Sequence, residues 1–346
     1  MELYNKLSAK QRTVLIEKAG GKRLTLSFYK YCKIKNPKFF RDYLYLKWNE
    51  LDILGRIYVA KEGINAQLSL PSNKLKIFKK SLDEIKFLND VRLNIAIEHN
   101  NHSFLKLKIK LREKIVADGL DSFEIDQKNA GKHLDAKQFN DMVQDHKTLL
   151  IDMRNHYESE IGHFKGAILP DVDSFRESLP IINKTFKEYK TSKNIVMYCT
   201  GGIRCEKASA FLKNNGYKNV FQLEGGIIEY TRQVKEKGLE NKFVGKNFVF
   251  DHRRSESVSK EIISNCHLCG KKCDSHVNCA NEACHLLFIQ CEQCSDLYNN
   301  CCSENCKKIN SLPLAEQKKL RKGKHNSNKI FKKGRSKVLK HKKISI

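Results

Sequence analysis

The stretch 198-YCTGGIRCE-206 places a cysteine at the end of the apolar run NIVMYC and follows it with two glycines, an arginine and a second cysteine. Gly201 and Gly202 let successive backbone N–H groups turn inward, and a helix starting just after them adds its positive end. Arg204 contributes a fixed positive charge. A thiolate at Cys199 would be stabilised in such a loop, which predicts a pKa below the ordinary thiol value of about 8.5 and a nucleophile at neutral pH. An inert, buried strand-end cysteine is the competing reading, and the glycines and arginine in this order favour the reactive one. Cys205, in the first turn of the helix, is either a resolving thiol or a small residue packing the helix start.

A second chemistry is written further on. Ten of the 13 cysteines lie between Asn265 and Lys307. Eight form pairs at metal-ligand spacing: Cys266 with Cys269, Cys279 with Cys284, Cys291 with Cys294, and Cys302 with Cys306. Two structural zinc ions are expected, because so short a segment cannot bury enough apolar surface to hold itself together. If the pairs interleave, the first and third share one ion and the second and fourth the other. Cys273 and Cys301 are then left over as extra ligands, and His267, His276 and His285 are substitutes.

The elements that position these groups fall into two α/β patterns. Residues 23 to 112 read as strand (RLTLSFYKYCKI), helix opened by Pro37, a hairpin (RIYVA and INAQLSL) turning at Lys61-Glu62-Gly63, a helix capped by Ser72, and strands RLNIAIEH and FLKLKIKL. That order fits a ferredoxin-like α+β sandwich, a fold that hosts many functions. A polar link around Asp118 to Lys132 leads to TLLIDM, NIVMYC and NVFQLEGG, separated by helical stretches. Strands alternating with helices imply a parallel sheet with function at the carboxyl ends of its strands, where Cys199 stands. The expected divisions are residues 1–118, 119–240, 241–310 for the cysteine-rich module, and 311–346 for a basic, disordered tail.

Charge narrows the partner. The 346 residues carry 65 Lys and Arg against 39 Asp and Glu, a formal charge of +26, and the last 40 residues hold +14 of it. A polyanion is implied, and a lysine-rich tail suits sequence-independent phosphate contacts. No run of 18 apolar residues and no apolar signal-peptide core are present, so we expect a cytoplasmic protein that uses its cysteines for metal or reactivity rather than for disulfides. There is no flavin or nicotinamide fingerprint, and no spacing of an iron facial triad. Oligomeric state is not written in the sequence.

Three separated motifs, 148-TLLIDMRNHYESEIGHFKGAILP-170, CTGGIR and 216-GYKNVFQLEGGIIEY-230, together resemble a rhodanese domain over about residues 130 to 235. In that family the loop cysteine carries a persulfide, a role that would map onto Cys199. Asp152 and Arg154 match the family's structural pair. With four residues between Cys199 and Arg204, the loop is too tight to encircle a phosphate group. The combination of RIYVAKEGINAQLSL, CTGGIRCEKAS, FVFDHR, the cysteine block and the basic tail is similar, over nearly the whole length, to the bacterial tRNA uridine hydroxylase family, whose N-terminal domain is acylphosphatase-like. That resemblance implies oxygen-dependent formation of 5-hydroxyuridine at the wobble position in a tRNA anticodon loop, with dioxygen as co-substrate and Cys199 essential. The alternatives are a sulfurtransferase working through a Cys199 persulfide and a non-enzymatic, zinc-bearing RNA-binding protein.

Overall fold

A computed structural model of the chain describes residue 5, residues 7–120 and residues 129–323. The part of the polar link at 121–128 and the lysine-rich stretch from 324 onward lie outside the described residues.

The first unit comprises α1 (Ala9–Ala19), β1 (Arg23–Tyr31), α2 (Pro37–Glu50), β2 (Leu54–Ala60), β3 (Gly63–Pro71), α3 (Leu75–Asp83), β4 (Asn94–Ile95) and β5 (Leu107–Leu111). Its sheet runs β4-β1-β3-β2-β5, antiparallel except that β5 lies parallel to β2. Alternation decides the faces: Leu26 and Phe28 of β1, Ile57 and Val59 of β2, and Ile109 of β5 turn to one side and pack against Phe40, Leu44 and Trp48 of α2 and Phe78 of α3. In α2 the buried residues recur every four positions, behind a helix start where the Asn36 side chain accepts from the Phe39 N–H at 3.0 Å. Gly63 has φ +145°, and a Cβ there would sit 2.0 Å from the Lys30 carbonyl oxygen, so the hairpin can close on β1 only with glycine.

Two local expectations need correcting. Ser72 does not cap α3: it begins a short 3₁₀ turn, Ser72–Lys74, and the helix starts at Leu75. RLNIAIEH keeps only Asn94–Ile95 as strand, because the N–H groups of Ile97 and Glu98 turn away from β1 and donate to the Glu256 carboxylate. FLKLKIKL likewise begins pairing only at Leu107.

The second unit comprises β6 (Lys132–Leu134), α4 (Ala136–Met142), β7 (Thr148–Asp152), α5 (His156–Ser159), β8 (Gly162–Phe164), α6 (Phe175–Thr185), β9 (Asn194–Tyr198), α7 (Ile203–Asn214), β10 (Val220–Leu223) and α8 (Gly226–Lys237). The strands β6-β10-β9-β7 form the expected all-parallel sheet, so Asp152 and Cys199 stand at the carboxyl ends of neighbouring strands. The chain then adds β11 (Phe243–Phe248), which pairs antiparallel with β8, and β12 (Ser255–Ser257) beside it. The cysteine-rich segment holds the hairpin β13 (His276–Asn278) and β14 (Leu287–Ile289) with α9 (Glu292–Tyr298) and α10 (Glu304–Asn310). Its core includes Tyr157 and Ile161 from the second unit. Within the stretch expected as a disordered tail, residues Leu314–Arg321 form α11, whose Arg321 pairs with Glu282.

The first two units are clamped by buried charge. Lys207 of α7 is fully buried and donates to Glu62 at 2.9 Å and to Asp118 at 2.5 Å, and Lys114 also reaches Asp118 at 2.7 Å. Asp118, read from sequence as the start of a polar link, is thus a buried anchor. Because removing one member of such a set leaves the others uncompensated, Lys207→Met should lower stability by about 3 kcal/mol. Urea unfolding of the variant and the wild type checks this, and equal midpoints would show that the clamp contributes nothing.

Candidate active site

Cys199 follows β9 and is fully buried. Its sulfur accepts from the Gly202 N–H at 3.2 Å, and Gly202 holds φ +99°, a left-handed conformation that starts α7 without a side-chain cap. The N-terminal end of α8 closes the loop from the other side: the N–H groups of Ile227 and Ile228 donate to the carbonyls of Cys199 and Thr200 at 3.0 and 3.3 Å. Gly226 is required there, since a Cβ would lie 2.5 Å from the Cys199 carbonyl oxygen.

Burial pushes the Cys199 thiol up, but the hydrogen bond from Cys205, the Arg204 charge and the N–H groups of Arg204 and Gly202 outweigh it and lower the pKa to about 6. Cys205 moves the opposite way: burial, and then the thiolate beside it, push it well above its usual range. The two thiols are therefore driven apart, Cys199 toward its ionised form and Cys205 toward its protonated form.

Arg204 is held by a carboxylate that the sequence did not single out. Its two terminal nitrogens donate to Glu158 of α5 at 2.6 and 2.8 Å, and Glu158 has no exposed surface. Glu158 also accepts from the Asn155 N–H at 3.0 Å, which fixes the start of α5. The other pair, Asp152 and Arg154, is fully buried in a fork with bonds of 2.9 and 2.6 Å, and Arg154 continues to the Gly162 carbonyl at 2.7 Å. Its link toward Cys199 is Tyr198, whose hydroxyl donates to Asp152 at 2.7 Å.

The open face of the first sheet covers the loop. Asn94 donates to the Gly201 carbonyl at 3.2 Å, Tyr31 to the Ile203 carbonyl at 3.2 Å, and Tyr29 to Glu206 at 3.1 Å. Glu206 also meets His133 and Gln222, whose bonds keep its carboxylate ionised despite burial. Glu206 and Lys207, directly after Cys205, thus bind the covering unit. Their sequence signal was a charged pair inside a small, apolar helix face. A cavity lined by Ser27, Gln67, Asn94, Phe250, Arg253 and Glu256 reaches the loop at Thr200. Asn94 is 3% exposed, and with its amide N–H spent on Gly201 its carbonyl oxygen has no partner among the described residues.

The metal-ligand pairs come together as two interleaved sets. Cys266, Cys269, Cys291 and Cys294 form one, and Cys279, Cys284, Cys302 and Cys306 the other, each with its sulfurs within 4.8 Å of one another. Neighbouring sulfurs are 3.6 Å apart in the first set and 3.7 and 3.8 Å in the second. A tetrahedral four-thiolate ion with bonds of about 2.3 Å has edges of about 3.8 Å, so both sets could hold a metal ion. Asn281 and the Cys302 N–H donate to sulfurs of the second set at 3.4 and 3.5 Å. Cys273 and Cys301 belong to neither set. The three histidines also lie outside them: His267 bonds Glu160 at 2.8 Å, His285 meets Asn278, and His276 is buried against Phe248.

Comparison with known proteins matches residues 23–115 to the UPF0176 acylphosphatase like domain, 135–233 to the Rhodanese-like domain and 244–307 to the Rhodanase C-terminal family. A protein of Leptospira interrogans, named tRNA uridine(34) hydroxylase, is 52% identical over 96% of this chain and 90% of its own length. One of Photorhabdus laumondii with the same name is 50% identical over 97% of this chain and 96% of its own.

The geometry predicts how the thiol titrates. Because the Cys199 pKa is depressed, its ionised form and the stability that goes with it are present at high pH and lost as pH falls through about 6. Cys205→Ala and Arg204→Gln should each raise the midpoint of Cys199 alkylation, whereas Cys205→Ser keeps a donor and should leave it near the wild-type value. Iodoacetamide rates between pH 5 and 9 measure all four proteins, and an unshifted Cys205→Ala midpoint would remove Cys205 from this role.

Proposed function

The chain belongs to the tRNA uridine(34) hydroxylase family, and from that premise we propose that it converts uridine 34 of tRNA to 5-hydroxyuridine with dioxygen as oxidant and Cys199 as the essential thiol. The observation that carries this reading is the buried thiol with a pKa near 6 beside a cavity lined by amide, carboxylate and aromatic groups.

In this reading the base enters the cavity at Thr200. The unpartnered Asn94 carbonyl oxygen accepts the N3–H of uracil, a donor that cytosine lacks. Since Cys199 has no exposed surface, the loop shifts before attack. The thiolate then bonds to C6, and the C5–C6 electron pair moves to C5 and the O4 carbonyl. C5 bonds to dioxygen as a hydroperoxide, loses its proton and expels the thiolate from C6, restoring the ring double bond, and the O–O bond is then cleaved by reduction to leave the 5-hydroxyl. Dioxygen takes four electrons and the C–H to C–OH conversion provides two, so a thiol reductant provides the other two and water is released. Gly202, Arg204 and Cys205 hold the thiolate before attack and receive it afterwards. Cys199→Ser should fold, bind tRNA and form no 5-hydroxyuridine. Nucleoside analysis after incubation with unmodified tRNA and dioxygen decides it: product from that variant defeats the proposal, and loss of a thiolated base in a deletion strain favours the sulfurtransferase.

Each four-cysteine set is assigned zinc, which suits closed tetrahedral thiolate sites and needs no redox partner. Its role is structural, and it supports catalysis at one remove. Tyr157 and Ile161 sit in the core of the cysteine module and Glu160 bonds its His267, so the module braces the short helix that carries Glu158. Elemental analysis should find about two zinc ions per chain, and chelation should raise the Cys199 alkylation midpoint as Glu158 loosens from Arg204. Iron in place of zinc would overturn the metal assignment, and an unchanged midpoint after full metal loss would overturn the bracing.

A further inference from the structure

The cavity at Thr200 accounts for one base, yet the face of the first sheet continues well past it. Strand register places Asn94, Ser27, Gln67, Arg56 and Lys108 side by side on β4, β1, β3, β2 and β5, one straight row across all five strands. These residues alternate with the core positions Leu26, Leu68, Ile57 and Ile109, so they lie on the face opposite α2 and α3. Burial falls steadily along the row. Asn94 is buried, Ser27 and Gln67 are half-buried, and Arg56 and Lys108 are exposed. At about 4.8 Å per strand the row runs about 19 Å outward from the cavity.

Both sides of the row are raised. On one side His99 and Ser103 lie over Thr25, bonded to its N–H at 3.2 Å and its hydroxyl at 2.9 Å. On the other, a parallel row of Tyr29, Asn65, Tyr58 and Lys110 is crossed at its inner end by the segment at Ile115, whose carbonyl accepts from Asn65 at 3.2 Å. The outer end gathers cations. Arg56, Lys106, Lys108 and Lys110 stand together, and Arg112 lies over the Tyr58 ring at 5.5 Å from its centre. No Asp or Glu occupies either row. Burial, followed by repulsion from Lys106, Lys110 and Arg56, lowers the Lys108 pKa, which is the signature of positive charges crowded without a counter-ion.

A trough with a cavity at one end, amide side chains along its floor and unopposed cations with an aromatic ring at its mouth matches a single strand of RNA, whose bases stack and whose phosphates need charge. We propose that this sheet face is the RNA track, holding the unpaired nucleotides that flank the target uridine with their phosphates against Arg56, Lys108 and Lys110. The proposal rests on the reading that the cavity receives a tRNA uridine, and it places RNA docking on the folded N-terminal sheet in addition to the lysine-rich tail.

The test compares two full-length variants with equal charge change. R56E/K108E/K110E reverses the trough, and K76E/K79E/K80E reverses three exposed lysines of α3 on the opposite face. Binding of a fluorescent anticodon stem-loop RNA across a salt series, 5-hydroxyuridine formation and Cys199 alkylation are measured for each. The trough variant should bind at least about tenfold more weakly, lose about 2 from the log–log salt slope for three phosphate contacts, and raise KM with an unaltered alkylation midpoint. The α3 variant should stay close to wild type, and Tyr58→Ala should weaken binding by about tenfold. Equal losses in both charge variants, or no loss in the trough variant, would overturn the track. Wild-type protein that binds through the trough but forms no 5-hydroxyuridine would overturn the hydroxylase reading and leave the track standing.

Discussion

The bidentate contact between Arg204 and Glu158 organises the site, because it fixes the cation beside Cys199. A guanidinium inside a protein needs a counter-charge, and its planar fork matches a carboxylate in one orientation. Glu158 therefore fixes the position of the positive charge relative to the sulfur, and with it the path of the backbone from Thr200 to Arg204. The same carboxylate caps its own helix, so the charge cannot move without unwinding α5. That helix is held from behind by the cysteine module through Tyr157, Ile161 and the Glu160–His267 bond. A module whose two four-cysteine sets could hold metal ions thereby becomes a mechanical support for a loop on another unit. The module also packs Leu286, Phe288 and Ile289 into the same core as Tyr157 and Ile161.

The second constraint comes from above. Parallel α/β sheets leave the carboxyl ends of their strands open, and here the open face of a mostly antiparallel sheet closes that end. The clamp is ionic and buried, and such contacts are costly unless every member is paired. Lys207 meets two carboxylates, and Asp118 meets two lysines, so the set is closed. The geometry joins an aromatic, amide-bearing surface to a nucleophile. The thiol loop alone could take many small electrophiles, whereas under this cover the cavity beside Asn94 and Gln67 meets the loop at Thr200.

What could be read in the sequence follows how far apart the partners are. The Cys199 loop was legible because Gly201, Gly202 and Arg204 act within five positions, and the metal pairs because each is closed by a single turn. Local pattern also separated an α+β unit from a parallel α/β unit. Glu158 was not legible, lying 46 residues from Arg204, nor was Asn94, which is 107 residues from Gly201. The row from Asn94 to Lys108 depends on the register of four strand pairs, which periodicity alone does not set. Asp118 looked like linker since it opens the stretch that leads to Lys132, and its second partner, Lys207, lies 89 residues away. The strand predicted over 92–99 was cut short for the same reason, by a carboxylate more than 150 residues away.

The charge balance at the loop is closed within the protein. Arg204 is matched by Glu158, and the thiolate takes the remaining hydrogen bonds of the loop, so no charge is left for a phosphate group. The sulfur is stabilised first by the Cys205 thiol and then by Arg204, that is, by a neutral donor ahead of a cation. This ordering matters for reactivity. A thiolate held mainly by strong cations is abundant but sluggish, because nucleophilicity falls with pKa, and the best attacking thiol titrates near ambient pH. A pKa near 6 keeps Cys199 ionised at neutral pH while conserving most of its nucleophilicity, and it would make the sulfur a good leaving group in the proposed addition to C6. Burial raises the pKa and the donors lower it, and the compromise between them suits both halves of that proposed addition–elimination sequence.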